Sequence, residues 1–134
     1  MALLTIKRAF EKKLATMTPA LSTAYESVSF TPVAGTAYQR VQLMPRRPEN
    51  PTMGDAYYRE VGEFQVFLCY PSNKGLAEAL ARAELVQQHF ARGTTLVEGA
   101  YEINIMRTPQ ITGNAIVADR IIVPVIIQYS VGVM

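Results

Sequence analysis

Apolar residues along this chain fall into two stripes with helical spacing and several stretches that alternate. Leu3, Ile6, Phe10, Leu14 and Met17 recur at steps of three and four, which predicts a helix near residues 3–17. Lys7, Arg8, Glu11, Lys12 and Lys13 fall mostly on its other faces and read as a solvated surface. Thr18-Pro19 is the expected stop, because a proline disfavours helical geometry in the residue before it. Leu76, Leu80, Ala83, Val86 and Phe90 form the second stripe and predict a helix near 75–91. Glu78, Arg82, Glu84 and Gln88 are assigned to its other faces, Ser72 or Asn73 to its cap, and Arg92-Gly93 to its end.

Between and after these stripes the period changes to two. Ser27-Val28-Ser29-Phe30 is a short β-like run, and Tyr38 to Met44 reads as a strand with one wet face. Tyr57 to Tyr70 is a long strand candidate. It places Phe64, Val66, Leu68 and Tyr70 on one face and Glu63, Gln65, Phe67 and Cys69 on the other. Gly62 within it marks a bulge or a close backbone approach. Thr94 to Glu98 and Tyr101 to Arg107 are further strands, Pro109 to Asn114 is a turn region, and Arg120 to Val131 is the last strand. Ile121 to Ile127 is apolar on both faces, so it calls for cover on two sides, helices on one and, as a candidate, another subunit on the other. Pro124 lacks the ladder donor and is expected on an edge or at a bulge. The pattern as a whole predicts an α+β fold: a mainly antiparallel sheet packed against two amphipathic helices, one domain over residues 1–134.

One segment resists either period. Residues 45–56 carry Pro45, Pro48, Pro51 and Gly54, which exclude regular structure, and the length exceeds what a simple connection needs. This loop is expected to be mobile and used in contacts. Arg46, Arg47, Tyr57, Tyr58 and Arg59 are its candidate protein-interaction residues, since Arg and Tyr are the side chains that anchor interfaces.

Composition narrows the chemistry. The 134 residues contain one Cys and one His, which excludes a disulfide framework and a closed Cys/His metal cluster. The net charge of +2 is too small to argue by itself for nucleic acid. Lys7-Arg8 interrupts the N-terminal apolar stretch too early for a signal-peptide core, and Ile121 to Ile127 is too short to span a bilayer, so a soluble intracellular protein is expected. Cys69 sits mid-strand as a small hydrophobe and His89 near a helix end, so neither nominates a nucleophile–base pair. Asn73-Lys74-Gly75 precedes a helix without the spaced glycines of a phosphate loop, and an ordinary cap accounts for it better. Asp55 and Asp119 lie in loop and turn and nominate no carboxylate pair.

Three stretches carry a family resemblance. They are Phe30-Thr31-Pro32 through Tyr38-Gln39-Arg40-Val41, then Gly62-Glu63-Phe64-Gln65-Val66 through Tyr70-Pro71 with Gly75 before a helix, and Phe90-Ala91-Arg92-Gly93-Thr94. Together they resemble the tail terminator, or tail completion, proteins of long-tailed bacteriophages and prophages. The resemblance implies a structural protein with no catalytic residue, cofactor or metal. It implies self-association into a hexameric ring that caps the tail tube, ends its polymerisation and joins the tail to a head-completion or connector protein. DNA would pass only through the lumen, no membrane would be involved, and the protein would reside in the virion tail after assembly in the host cytoplasm. The alternative is a small nucleic-acid-binding accessory module using Arg46, Arg47 and Arg59. A further rival is a small cofactor-free enzyme built around His89 or Cys69.

Overall fold

A computed structural model describes residues 2–18, 20–26, 28–32, 35–51, 53–54, 56–72 and 76–133. Helix α1 spans Ala2–Ala15, followed by strands β1 (Ser22–Ala24), β2 (Tyr38–Pro45) and β3 (Tyr58–Pro71). Helix α2 (Ala77–His89) then leads into β4 (Thr95–Glu98), β5 (Tyr101–Ile105), β6 (Gln110–Ile111), β7 (Ala115–Val117) and β8 (Arg120–Val133). The strands form an eight-stranded sheet in the order β1-β2-β3-β8-β5-β4, with β6 and β7 paired to β8. Every pairing is antiparallel except the parallel β1–β2 pair. The fold is α+β with one shared core, as the two periods predict.

The centre of the sheet is the β3–β8 pair, continuous from Tyr58↔Val133 to Pro71↔Arg120. Alternation along these strands puts Phe64, Val66, Leu68, Val123, Val125 and Ile127 on one buried face. Both helices pack there. Phe10 of α1 stacks on Phe64 with ring centroids 4.7 Å apart, and lies 5.8 Å from Phe90 and 5.7 Å from Tyr129. Gly62 proves to be a close approach rather than a bulge. Its register with Pro45 and Tyr129 is unbroken, and a Cβ there would stand 2.6 Å from the Met44 carbonyl oxygen.

Several expectations need correction. The strand near residue 25 is Ser22–Ala24, and Val28, Ser29 and Phe30 are not strand; Ser27 lies outside the described residues. Phe30 instead sets its ring against Tyr38, 5.1 Å away. Leu3 is partly exposed, and Ala9 takes the place in the α1 stripe. In α2 the expected Ala83 and Val86 are buried, as is Phe90 at the C-cap, but Ala79 and Arg82 take the buried place expected of Leu80. Leu80 is 39% exposed and Arg82 only 4%. Small alanines let the helix approach the sheet closely, and the long Arg82 stem fills the space beside Tyr70, whose phenol interacts with its charge. Leu76, not Ser72, occupies the helix cap, without a side-chain bond; Asn73, Lys74 and Gly75 lie outside the described residues. The helix ends at His89 with Phe90 as its C-cap, and Gly93 takes a positive φ in the turn beyond. The turn region near 109–114 contains β6.

Pro124 occupies a central strand, not an outer edge. Its neighbours explain why. β6 pairs with β8 as far as Ile111↔Val125, and β7 resumes pairing at Ala115↔Ile122. Pro124 falls in the gap between them, where its carbonyl accepts the Thr112 N–H at 3.0 Å and no partner strand needs its missing donor.

Candidate functional site

The helices cover one face of the sheet. On the opposite face Phe67 of β3 stands across from Pro124 of β8, flanked by Ile122 and Ile126, and all four are half-buried. Arg40 of β2 lies over the Phe67 ring at 4.5 Å. The two-sided apolar character of Ile121 to Ile127 thus resolves into a buried face under the helices and an apolar strip facing outward.

The segment after β2 borders this face and is tied to β3 at two points. The Arg46 N–H donates to the Val61 carbonyl at 2.9 Å, and Glu49 and Arg59 exchange two backbone bonds of 2.8 Å. Ion pairs of 3.0 Å join Arg46 to Glu63 and Arg59 to Glu49. Arg47 is exposed and has no ion pair among the described residues. Thr52 and Asp55 of this segment lie outside the described residues.

The predicted interaction residues therefore divide. Tyr57 packs over Gly132, where an added Cβ would lie 3.0 Å from the phenol oxygen. Its hydroxyl also interacts with Arg59, whose pKa is raised chiefly by its bond to Glu49 and next by Tyr57. Arg46 and Arg59 line one cleft of about 420 Å³ together with Glu49, Glu63, Met106 and Arg107. Tyr58 instead packs against the core cluster. Arg107 was not among the candidates from sequence: the strand expected to run through it ends at Ile105, and Arg107 lines the cleft from the segment beyond.

The residues weighed for catalysis have structural surroundings. His89 Nε2 is 2.7 Å from the Lys13 carbonyl and 2.9 Å from Thr16 Oγ1, so the end of α2 clasps the end of α1. Burial pushes the Cys69 thiol up, against the opposing pull of the Tyr38 hydroxyl and of Arg40 and Arg120. No cluster of three metal-ligating side chains occurs among the described residues, and no helix there is long and apolar enough to cross a membrane.

Outside the helices, the sheet thus presents a half-buried apolar strip bordered by arginine and tyrosine. The chain belongs to the phage tail terminator protein family, whose model matches residues 5–129. This makes it a structural phage tail protein, assembled with other virion proteins. One solved structure superposes with a TM-score of 0.79 at 26% identity, covering 98% of this chain and 96% of that one. A chain in the virion of a native gene transfer agent particle shares the fold, with a TM-score of 0.68 at 18% identity and coverage of 98% and 97%. No curated protein matches the chain.

Proposed function

We propose that this protein ends the growth of the phage tail tube by forming a ring, hexameric on assembly, that caps the tube and joins it to the head. The observation that carries this reading is the outward strip of Phe67, Ile122, Pro124 and Ile126, apolar surface that one copy alone leaves half-covered. A ring joins one surface of a subunit to a different surface of the next, and this strip supplies the apolar part of such a contact. Arg46, Arg47, Tyr57, Tyr58 and Arg59 supply the polar part, toward the neighbouring subunit, the tube or the head-completion protein. Arginine offers charge-assisted bonds to carboxylates, and tyrosine offers apolar area with a polar tip. DNA contributes by passing through the lumen. The gene transfer agent virion, which contains a chain of this fold, is in keeping with this placement in the particle. Two of the three arginines of a nucleic-acid module, Arg46 and Arg59, stand 3.0 Å from carboxylates, which favours protein contact over phosphate contact.

The test is assembly with and without the protein. Tails made in its absence should be overlong and headless by electron microscopy, and adding the protein should restore uniform length. Tails of normal length and normal head attachment in its absence would defeat the proposal.

A further inference from the structure

Helix α2 is apolar on more than the side it turns to the sheet. Ala79, Ala83 and Val86 are buried in the core, yet Ala77, Leu80, Ala81 and Leu85 are exposed on the opposite side. Leu80 and Leu85 are 39% and 42% exposed. A helix that gives one face to a core ordinarily carries polar side chains on the other, so a second apolar face calls for cover from outside the chain. The charged members of this outer face are acids. Glu78 and Glu84 are exposed and join no ion pair among the described residues, and the one arginine of the helix, Arg82, is buried.

The far side of the sheet carries the opposite charge. Arg40 lies over Phe67 within the outward strip. The cleft lined by Arg46, Arg59 and Arg107 adjoins the strip, since it begins at Gln128, two positions beyond Ile126 on the same side of β8. Glu63 and Glu49 pair with Arg46 and Arg59, whereas Arg40 and Arg107 face no carboxylate in an ion pair among the described residues. A groove of about 430 Å³, with Phe30 and Tyr38 in its wall, borders Arg40 and extends the apolar surface past β2.

We propose that the outer face of α2 in one copy docks across the Phe67–Pro124–Ile126 strip of a second copy, with Glu84 pairing to Arg40. Leu80 and Leu85 rest on the strip, and the short side chains of Ala77 and Ala81 let the helix come close. A chain cannot cover its strip with its own α2, because the sheet lies between them. Charge selects this occupant: two strips together oppose arginine to arginine, and two α2 faces together oppose glutamate to glutamate. The two surfaces differ and lie on opposite sides of the molecule, so the contact is heterologous and passes from copy to copy. It supplies the counterpart of the strip in the ring reading above and rests on that reading only for closure of the cycle.

Cross-linking between two single-site variants tests the docking. Ala81→Cys and Ile126→Cys place one thiol at the middle of each surface, while the native Cys69 is buried. A bismaleimide of about 10 Å reach, the spacing of packed layers, is added to concentrated protein. A cross-linked dimer is expected from the mixture of the two variants, and none from either variant alone or from the unaltered chain. A dimer from Ala81→Cys alone shows α2 against α2, a dimer from Ile126→Cys alone shows strip against strip, and either result overturns the docking, as does the absence of any cross-link. Charge reversal gives a second measurement that needs neither cysteine. Arg40→Glu and Glu84→Arg, both at exposed positions, should each weaken self-association in sedimentation by about tenfold with the circular dichroism spectrum unchanged, and the two together in one chain should restore it. A double variant no better than the single ones overturns the docking. A chain carrying both Ala81→Cys and Ile126→Cys separates the docking from the ring. A cross-linked ladder that stops at the size of a closed ring supports both. A ladder that runs on without closing supports the docking and overturns the ring. A closed ring without cross-links overturns the docking and keeps the ring.

Discussion

Gly62 and Tyr129 show how tightly single residues are constrained. An alanine Cβ at position 62 would meet the Met44 carbonyl oxygen and the Tyr129 hydroxyl, each at 2.6 Å. A backbone atom cannot move aside as a side chain does, so Gly62→Ala should cost about 1–3 kcal/mol in urea unfolding. Tyr129→Phe in the same background should restore only part of this, because the Met44 contact remains. Alone, Tyr129→Phe should leave stability equal or raise it by about 1 kcal/mol, since the buried hydroxyl has no hydrogen-bond partner. Burial pushes the Tyr129 phenol up to about 12, with the Glu60 charge adding to the effect. A phenol in the unfolded chain ionises near pH ~10. Its contribution to stability is therefore complete below that value and is lost as pH rises through about 12. The Phe variant should show a shallower alkaline loss by chemical denaturation. Some slope should persist, because desolvation also raises Tyr38 and Tyr70.

Among the elements, length decided what could be read from the sequence. β3 and β8, each of 14 residues, announce themselves by sustained alternation, and α1 by a stripe over several turns. β1, β6 and β7 have only two or three residues, too few to express a period, and they are set by the long strands beside them. α2 was legible as a helix and in Ala83, Val86 and Phe90 of its buried face, but not at Leu80. Ala79 weighs little in an apolar count, whereas Leu80 is prominent, yet contact with the sheet favours the small residue. Val86→Ala should accordingly destabilise by about 1–3 kcal/mol and Leu80→Ala by less than about 1 kcal/mol, a contrast that thermal unfolding resolves. In α1, Phe10→Ala should cost about 3–5 kcal/mol, because three aromatic rings lose their common neighbour. The candidate contact residues were partly legible. Arg and Tyr content marked the region after β2, but the partition of Tyr57 and Tyr58 to different surroundings depends on packing that composition does not encode.

For the whole molecule, the decisive feature is the difference between the two faces of the sheet. A charge placed on the outward face should spare the fold and damage assembly. Ile126→Glu is expected to shift the unfolding temperature by only a few degrees, about 1 kcal/mol, while tails assembled with it lose uniform length in electron micrographs. Arg46→Ala/Arg47→Ala should likewise cost only about 1 kcal/mol, since Arg47 has no ion pair among the described residues and Arg46 is the exposed end of its pair with the buried Glu63, which keeps a hydrogen bond from Gln65 Nε2. It should still impair tail joining in the same assay.

The pairing of β3 with β8 also sets when this fold becomes available. Helix α2 and strands β4 to β7 all intervene in sequence between the two central strands. β3 therefore keeps one hydrogen-bonding edge open until the sequence-distant β8 pairs with it. Such distant pairing raises contact order and slows the search, placing refolding in the range of about milliseconds to seconds. The outward strip, built from both strands, comes into being only with that last closure. A chain whose topology is incomplete would therefore lack the surface proposed above for assembly.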